Sequence, residues 1–578
     1  MQDVDPNQFE LTKYVGADTE TDGLDTQKCK AFCIGFANTK GQRTFIDFRN
    51  NNKDLNFLAQ TILLNCKCIF HNVKYDLKVL QNAGFSVLDF EDSQTLAFLN
   101  NEYEDSFKLE YLANKYLGVG KYTNDAFEEW KKKNSKTIEQ SGYSTLKSEI
   151  LIPYTLRDAE LALTLFAGIY QKFQATEPDT LKQYEVEKSV IKVLINIERA
   201  GVQIDVNKAF DNMSKLEKTS KTLEKVFQEG YKVANPNSWQ QIKKRYESIG
   251  ISLESTDKKT MLKLAGQGDQ FAKDLLRIRQ TNKILSGFLL PMLENTDRIT
   301  RRLHTNFNTT VAKTARLSSS NPVNFQNLPR AVEDPHDIRN YVRESIIAKP
   351  GFYLLGGDYD QEEMRILADQ SNCRTLIDLF NGGARDVYVE IAKLIWPDEE
   401  IDKQLRYVAK QSTLGISFGM GASRFVSQAA QYGFNIEFEE AREVIKIVKE
   451  RFPEVNDMLQ RLSFEVKQNG YVVDRFGKRY HVDQDKAYKA FNAVIQGTAA
   501  QVMKRSLLTL SKNVNEYFRI INTVHDEVLC EIHESIPVEQ GWSIIKNSME
   551  AISANFKLQI KMSPKFFDGN WAHTKKAA

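Results

Sequence analysis

Residues 353–363 read Tyr353-Leu354-Leu355-Gly356-Gly357-Asp358-Tyr359-Asp360-Gln361-Glu362-Glu363, an apolar, β-prone run that ends abruptly in acid. A second such place lies far along the chain, where His525-Asp526-Glu527 interrupts Thr523-Val524 and Val528-Leu529-Cys530. Buried strands do not carry charge without a partner for it. Carboxylates delivered by two distant strands or a tight hairpin suit hard divalent cations. A pair of such cations suits phosphoryl transfer, one activating the attacking oxygen and the other neutralising the leaving one. Paired acids on solvated turns are the bland alternative, and the rest of the chain weighs against it.

At 578 residues the chain exceeds what one core supports, and 42% hydrophobic with 11% aromatic residues is the composition of a globular enzyme. No apolar run reaches the roughly 18 residues that would span a bilayer, so no membrane partner is expected. The polar start, MQDVDPNQFELTKY, shows no leader. Six cysteines without a repeated zinc-ligand spacing make neither a metal finger nor a disulfide framework, which points to a reduced, cytoplasmic-type interior. The net charge of +2 excludes nothing, but its distribution is informative. Residues 1–174 carry 20 Lys and Arg against 24 Asp and Glu, whereas residues 211–304 carry 18 against 11. A basic middle flanked by acidic clusters suits a polyanion held in one place and cations in others.

The first 174 residues alternate short apolar strands (33–37, 68–70) with helical stretches (77–83, 156–174), an α/β pattern. Within it, Asp18 and Glu20 lie two residues apart on a strand and so face one side. Asp76 follows in Asn72-Val73-Lys74-Tyr75-Asp76, and Tyr154 and Asp158 stand one helical turn apart. A phenol beside a metal carboxylate can orient an attacking water. Each fragment alone reads as solvated surface; all three in this order are specific.

Residues 181–232 are expected to form one or two long helices, followed by lysine-rich helices to about 290 and loop and strand to 357. Residues 362–468 read as mostly helical, then a hairpin at Gly477 and a helix from Tyr488 to Leu510. Arg316, Asn324 and Gln326 sit in a polar loop whose donors suit minor-groove acceptors, which report base-pair geometry more than identity. Arg406, Lys410 and Leu414 share one helical stripe, two cations able to clamp a triphosphate, although such a pair is often a solvated face. Asn492 to Ala500 opens a small-residue helix in which Gln496 offers an amide.

The amino-terminal acids resemble the proofreading 3′→5′ exonuclease domain of DnaQ-like nucleases. That resemblance implies metal ligands at Asp18, Glu20, Asp76 and Asp158, a water-aligning Tyr154, and a primer-end contact at Asn72. Asp358 to Arg365 (DYDQEEMR), Arg406 to Gly419 (RYVAKQSTLGISFG) and Val524 to Val528 (VHDEV) resemble the three signature motifs of family A DNA polymerases, with TARLSSS and NAVIQGTAA as further blocks. The resemblance covers essentially the whole chain. It implies metal binding by Asp358, Asp526 and the Tyr359 carbonyl, with Glu527 and Lys410 also in the catalytic set. Glu363 is then the gate against a 2′-hydroxyl, flanked by Gln361; Arg406 and Lys410 hold the triphosphate, and Leu414 and Phe418 lie near the incoming nucleotide. His525 contacts the primer terminus, and Arg316, Asn492 and Gln496 read the primer-template.

Five positions depart from the family pattern: Ala315 for glycine, Asp360 for serine, Leu414 for an aromatic, Phe418 for tyrosine and Tyr388 for histidine. The resemblance implies an RNase H-like exonuclease domain at 1–174 and a right-hand polymerase domain at 175–578, in an overall α/β and α+β architecture. Its thumb is expected at about 181–299, its palm at about 300–368 and 490–578, and its fingers at about 369–489. It implies two Mg²⁺ per site, replaceable by Mn²⁺, with primer-template DNA and dNTPs as partners of a monomer. A helicase, primase or single-strand-binding protein would complete the assembly. No 5′-nuclease block precedes the exonuclease, so a bacteriophage replicative enzyme is expected, with an organellar polymerase as the alternative. A nuclease whose carboxy-terminal region only binds DNA is the rival from another class.

Overall fold

In the computed structural model residues 1–578 are described except 121–124, 384–385, 418–419, 431–435 and 576–578. The side chains of Asp125, Ala126, Glu139, Leu414, Ile416, Ser417, Gln428 and Ala430 are likewise outside the description, so the expectations for Leu414 and Phe418 fall there too. The chain forms two compact units, one of Met1–Arg199 with residues 309–315 and 473–481, the other of the remaining residues.

The first unit is built on a six-stranded sheet of β1 (Gln2–Asp3), β2 (Tyr14–Thr21), β3 (Ala31–Asn38), β4 (Gln42–Asp47), β5 (Lys67–Phe70) and β6 (Asp89–Asp92), in the order β1-β4-β3-β2-β5-β6. Val15, Ala17, Ile34, Phe36 and Cys68 are fully buried, as a sheet covered on both faces requires. Helix α1 (Val73–Asn82) follows β5, and α2 (Ser148–Thr176) packs across β2 and β3. The close approach of α2 depends on Gly16: a Cβ there would stand 2.1 Å from the Ala159 carbonyl oxygen and 2.8 Å from the Leu163 Cβ. Gly16, Asp18 and Glu20 share a strand face, so the glycine that admits the helix also brings its residues over the two acids. The helix Pro178–Ala200 continues this unit, with Ile191 and Ile195 in the core of the sheet. Its buried Glu198 takes both Lys74 and Lys78, anchoring the face of α1 away from Asp76.

Of the one or two long helices expected over 181–232, two form, Pro178–Ala200 and Val206–Lys225. Gly201, at φ +59°, ends one helix, and Val202–Ile204 forms a strand before the next helix begins at Val206. Any Cβ at Gly201 would meet His304 Nδ1 at 2.6 Å, so this backbone crossing admits glycine alone.

At the centre of the second unit lies an antiparallel sheet of β7 (Phe352–Tyr359), β8 (Phe518–Val524), β9 (Glu527–His533) and β10 (Met562–Phe566), ordered β8-β9-β7-β10. Asp358 pairs directly with Glu527 across β7 and β9. Helices α3 (Glu362–Ser371), α4 (Lys403–Ser417) and α5 (Lys489–Ser511) carry Glu363, Arg406 with Lys410, and Asn492 with Gln496 respectively. The small residues of α5 are buried from Gly497 to Ala500, as a helix laid closely on its neighbours demands.

Candidate active sites

In the first unit Asp18 and Glu20 lie on β2, with Tyr154 and Asp158 on α2. Burial and then the carboxylates of Asp158, Glu20 and Asp18 push the Tyr154 phenol well above its ordinary range, which places the four groups in one electrostatic neighbourhood. Tyr154 is held edgewise by Tyr143 at 5.8 Å and tilted on Phe127 at 4.8 Å. Asp76 reaches β2 from α1, where its Oδ1 accepts the Thr19 hydroxyl at 2.7 Å. Burial raises Asp76 to about 7 despite that bond, and the Asp92 carboxylate adds to the rise. Asn72 takes a left-handed φ of +70° at the start of α1, donates its N–H to Asp92 at 2.9 Å and leaves its side chain exposed.

The second unit holds a cleft of about 240 Å³ at the end of its sheet, lined among others by Arg316, Gln361, Glu363, Lys410, His525 and Asp526. The β8–β9 turn places His525 at φ +56° and Asp526 beside the end of β7. The turn is tied down twice: the Tyr359 N–H donates to the Asp526 carbonyl at 3.1 Å, and the His525 N–H to Gln326 Oε1 at 3.1 Å. Gln326 also donates through Nε2 to the Thr523 carbonyl. This buried amide, which the sequence placed in a groove-reading loop, is a clamp on the turn that presents Asp526.

Lys410 and Tyr388 line the same cleft, and Arg406 and Lys410 lie 5.8 and 5.5 Å over the Tyr388 ring, so the stripe expected from their spacing does form. Arg406 is also paired with Asp386. Glu363 pairs with Arg316 at 2.5 Å, which ties the expected sugar gate to the expected groove reader. Gln361, at φ +52°, accepts the Val387 N–H at 3.1 Å and thereby starts the helix that carries Tyr388. Asn492 Nδ2 stands 3.4 Å from Gln496 Oε1 on one face of α5. Tyr359 buries its ring and donates its hydroxyl to Ser506 or the Met549 carbonyl, which leaves its backbone at the strand end.

Three arrangements differ from expectation or were missed. Both carboxylate oxygens of Glu527 are engaged: its Oε1 accepts Trp571 Nε1 at 3.0 Å and its Oε2 accepts Lys565 at 2.8 Å. Glu527 pairs directly with Asp358 across β7 and β9, so the two side chains stand on one face of the sheet. Lys565 also reaches Asp358 Oδ2 at 3.0 Å. No motif surrounds Lys565 in the sequence, and only the pairing of β10 with β7 brings it there. Glu362 is buried in the cleft wall with no hydrogen-bond partner for Oε1, and burial, with Asp526 nearby, drives its carboxyl far above the usual range.

Among the described residues no group of three or more His, Cys, Asp and Glu side chains closes on a single point. The donors at both sites are nonetheless carboxylate oxygens, the ligands that Mg²⁺ and Mn²⁺ take. Asp358 already draws a cation, the Lys565 ammonium. These residues fit divalent cations whose coordination is completed by substrate oxygens.

A family model for DNA polymerase family A matches residues 207–573, and one for a 3′-5′ exonuclease matches residues 7–174. The chain is 27% identical over 573 residues to DNA polymerase I of Pseudomonas aeruginosa, covering 92% of this chain and 61% of that one. It is 30% identical over 430 residues to the thermostable DNA polymerase I of Thermus aquaticus, covering 70% and 50% respectively. It therefore spans between half and about three fifths of the length of these relatives. The solved POL domain of Pol1 from M. smegmatis, in complex with DNA primer-template and dNTP, superposes with a TM-score of 0.82 over 98% of this chain and 97% of that one, at 22% identity, and so shares its fold. The chain belongs to DNA polymerase family A and carries a 3′-5′ exonuclease domain.

Proposed function

We propose that this protein is a template-directed DNA polymerase that adds dNTPs to a primer 3′ end by two-metal phosphoryl transfer and proofreads with its own exonuclease site. The observation that carries this reading is the tie between Tyr359 and Asp526, which joins two acidic strand ends beside a cleft lined by Asp526 and Lys410, with Arg406 one helical turn from Lys410 against the same Tyr388 ring. Divalent cations, when bound by Asp358, Asp526 and the Tyr359 carbonyl, would supply charge neutralisation at the attacking and leaving oxygens. The chain supplies the rest. Arg406 and Lys410 bind the triphosphate and hold its leaving diphosphate in line, and Lys410 stands where it can pass a proton to that group. Glu363, fixed by Arg316, closes the space beside the sugar where a 2′-hydroxyl would stand. Asn492 and Gln496 offer amides to the primer-template minor groove.

At the other site Asp18, Glu20, Asp76 and Asp158 would hold Mg²⁺ or Mn²⁺, and Tyr154 orients the attacking water, while Asn72 receives the frayed strand. In this reading residues 1–174 are the exonuclease domain, and 175–578 supply thumb, palm and fingers. We extend it to replication of bacteriophage DNA in the host cytoplasm by a monomer, supported by the joining of both sites on one chain. Extension of a labelled primer-template with and without dNTPs tests the proposal: elongation in the first case and shortening in the second are expected, and a chain that only shortens the primer would leave the nuclease reading.

A further inference from the structure

Lys565 stands between the two carboxylates that face each other across β7 and β9. Its Nζ lies 3.0 Å from Asp358 Oδ2 and 2.8 Å from Glu527 Oε2, and Lys565 itself is half-buried on β10. Glu527 is not mobile: Trp571 Nε1 donates to its Oε1 at 3.0 Å, and the Arg343 guanidinium, stacked 4.1 Å over the Trp571 ring, stands 3.8 Å from the same oxygen. A chain of fixed groups therefore runs from Arg343 and Trp571 through Glu527 to Lys565 and ends on one oxygen of Asp358.

Two like charges directly opposite in a sheet repel. Without a cation between them, Asp358 and Glu527 would turn apart, or share a divalent ion on the side away from Asp526. Lys565 counters both outcomes, since it stands between the two carboxylates and engages Oδ2 of Asp358, with Oδ1 left clear of the lysine. The same logic governs metal ligands whose second atom is held by an outer hydrogen bond.

We propose that Lys565 is a positioning residue of the polymerase site, which orients Asp358 for a divalent cation by bridging it to Glu527. This rests on the polymerase reading above. The test uses the full chain with Asp18→Ala and Glu20→Ala, a dideoxy-terminated primer-template and a dNTP, with Mn²⁺ binding followed by loss of the free-ion electron paramagnetic resonance signal. Lys565→Gln is expected to weaken Mn²⁺ binding roughly 10-fold and to lower kcat for extension roughly 10- to 100-fold with KM for dNTP little changed. Lys565→Arg should restore most of both. In an Asp358→Asn background Lys565→Gln should cost nothing further.

Unchanged or tighter Mn²⁺ binding in Lys565→Gln would overturn the inference, as would an equal loss in the Asp358→Asn background. If Lys565→Gln melts below the assay temperature, Glu527→Gln decides: it keeps the lysine but loosens its anchor, so a partial loss supports the proposal and no loss overturns it. Failure of the unmodified chain to extend any primer would instead remove the polymerase reading itself.

Discussion

The backbone N–H of Tyr359 donates to the carbonyl of Asp526 at 3.1 Å, joining the end of one strand to a turn 167 positions further along the sequence. Asp358 and Asp526 are therefore placed by main chain, whose geometry varies little, and their side chains need only choose a rotamer. Positioning of this kind is what phosphoryl transfer draws most of its rate from.

Separation of the two sites is the first consequence. Asp526→Ala should lower primer extension by at least about 10³-fold, roughly 4 kcal/mol of transition-state stabilisation. Degradation of single-stranded DNA should continue. Asp18→Ala with Glu20→Ala should do the converse and raise the error rate. Both variants are read on one gel; loss of both activities together in a folded protein would contradict the assignment.

Gln326 clamps the turn by accepting from His525 and donating to Thr523. Gln326→Ala leaves a buried N–H and a buried carbonyl without that partner, a cost of about 1–3 kcal/mol. Extension should fall at least 10-fold while the exonuclease is unaffected. If the glutamine acted only on the DNA, Gln326→Ala would raise KM for primer-template without loosening the turn. Hydrogen exchange at 523–527 distinguishes the two.

Burial raises the Asp76 carboxyl in the folded state to about 7, well above its ordinary value near 3.8. The folded state holds the proton more tightly, so this group subtracts stability progressively as pH rises from about 4 to 7, and the full loss remains above 7. In EDTA, Asp76→Asn should therefore be more stable than the parent at pH 8, with a gain about 2–3 kcal/mol larger than at pH 5. Mg²⁺ should narrow the difference at pH 8 by stabilising the parent alone. Melting curves at both pH values check this, and a pH-independent difference would refute it.

Ala315 departs from the glycine of the family pattern, and it is fully buried at φ +56°. A non-glycine residue in that region costs about 1–3 kcal/mol, partly offset by the greater unfolded-state freedom that glycine brings. Ala315→Gly should raise stability by about 0.5–1 kcal/mol, seen as a higher melting temperature. A lower one would mean that the buried methyl contributes more packing than its backbone costs.

Much of the local geometry on which the proposed sites rest was legible in the sequence because it lies in short runs. The i and i+2 acids Asp18 and Glu20, the one-turn pair Tyr154 and Asp158, and the stripe of Arg406 and Lys410 are local, set by the 2.0 and 3.6 residue periods of strand and helix. The acidic strand ends were equally local, since charge in an apolar run is visible without knowing what lies beside it. What could not be read was any relation across the chain. Position 201 takes glycine because His304 and Leu303 crowd its backbone, and Gln326 is a clamp because Thr523 and His525 lie against it. Glu527 and Lys565 both meet Asp358 because β7 lies between β9 and β10, an order that sequence periodicity does not contain. Local periods determine which side chains share a face; only the packing of strands from residues 352, 527 and 562 onward decides which faces meet, since that depends on burial summed over the whole core.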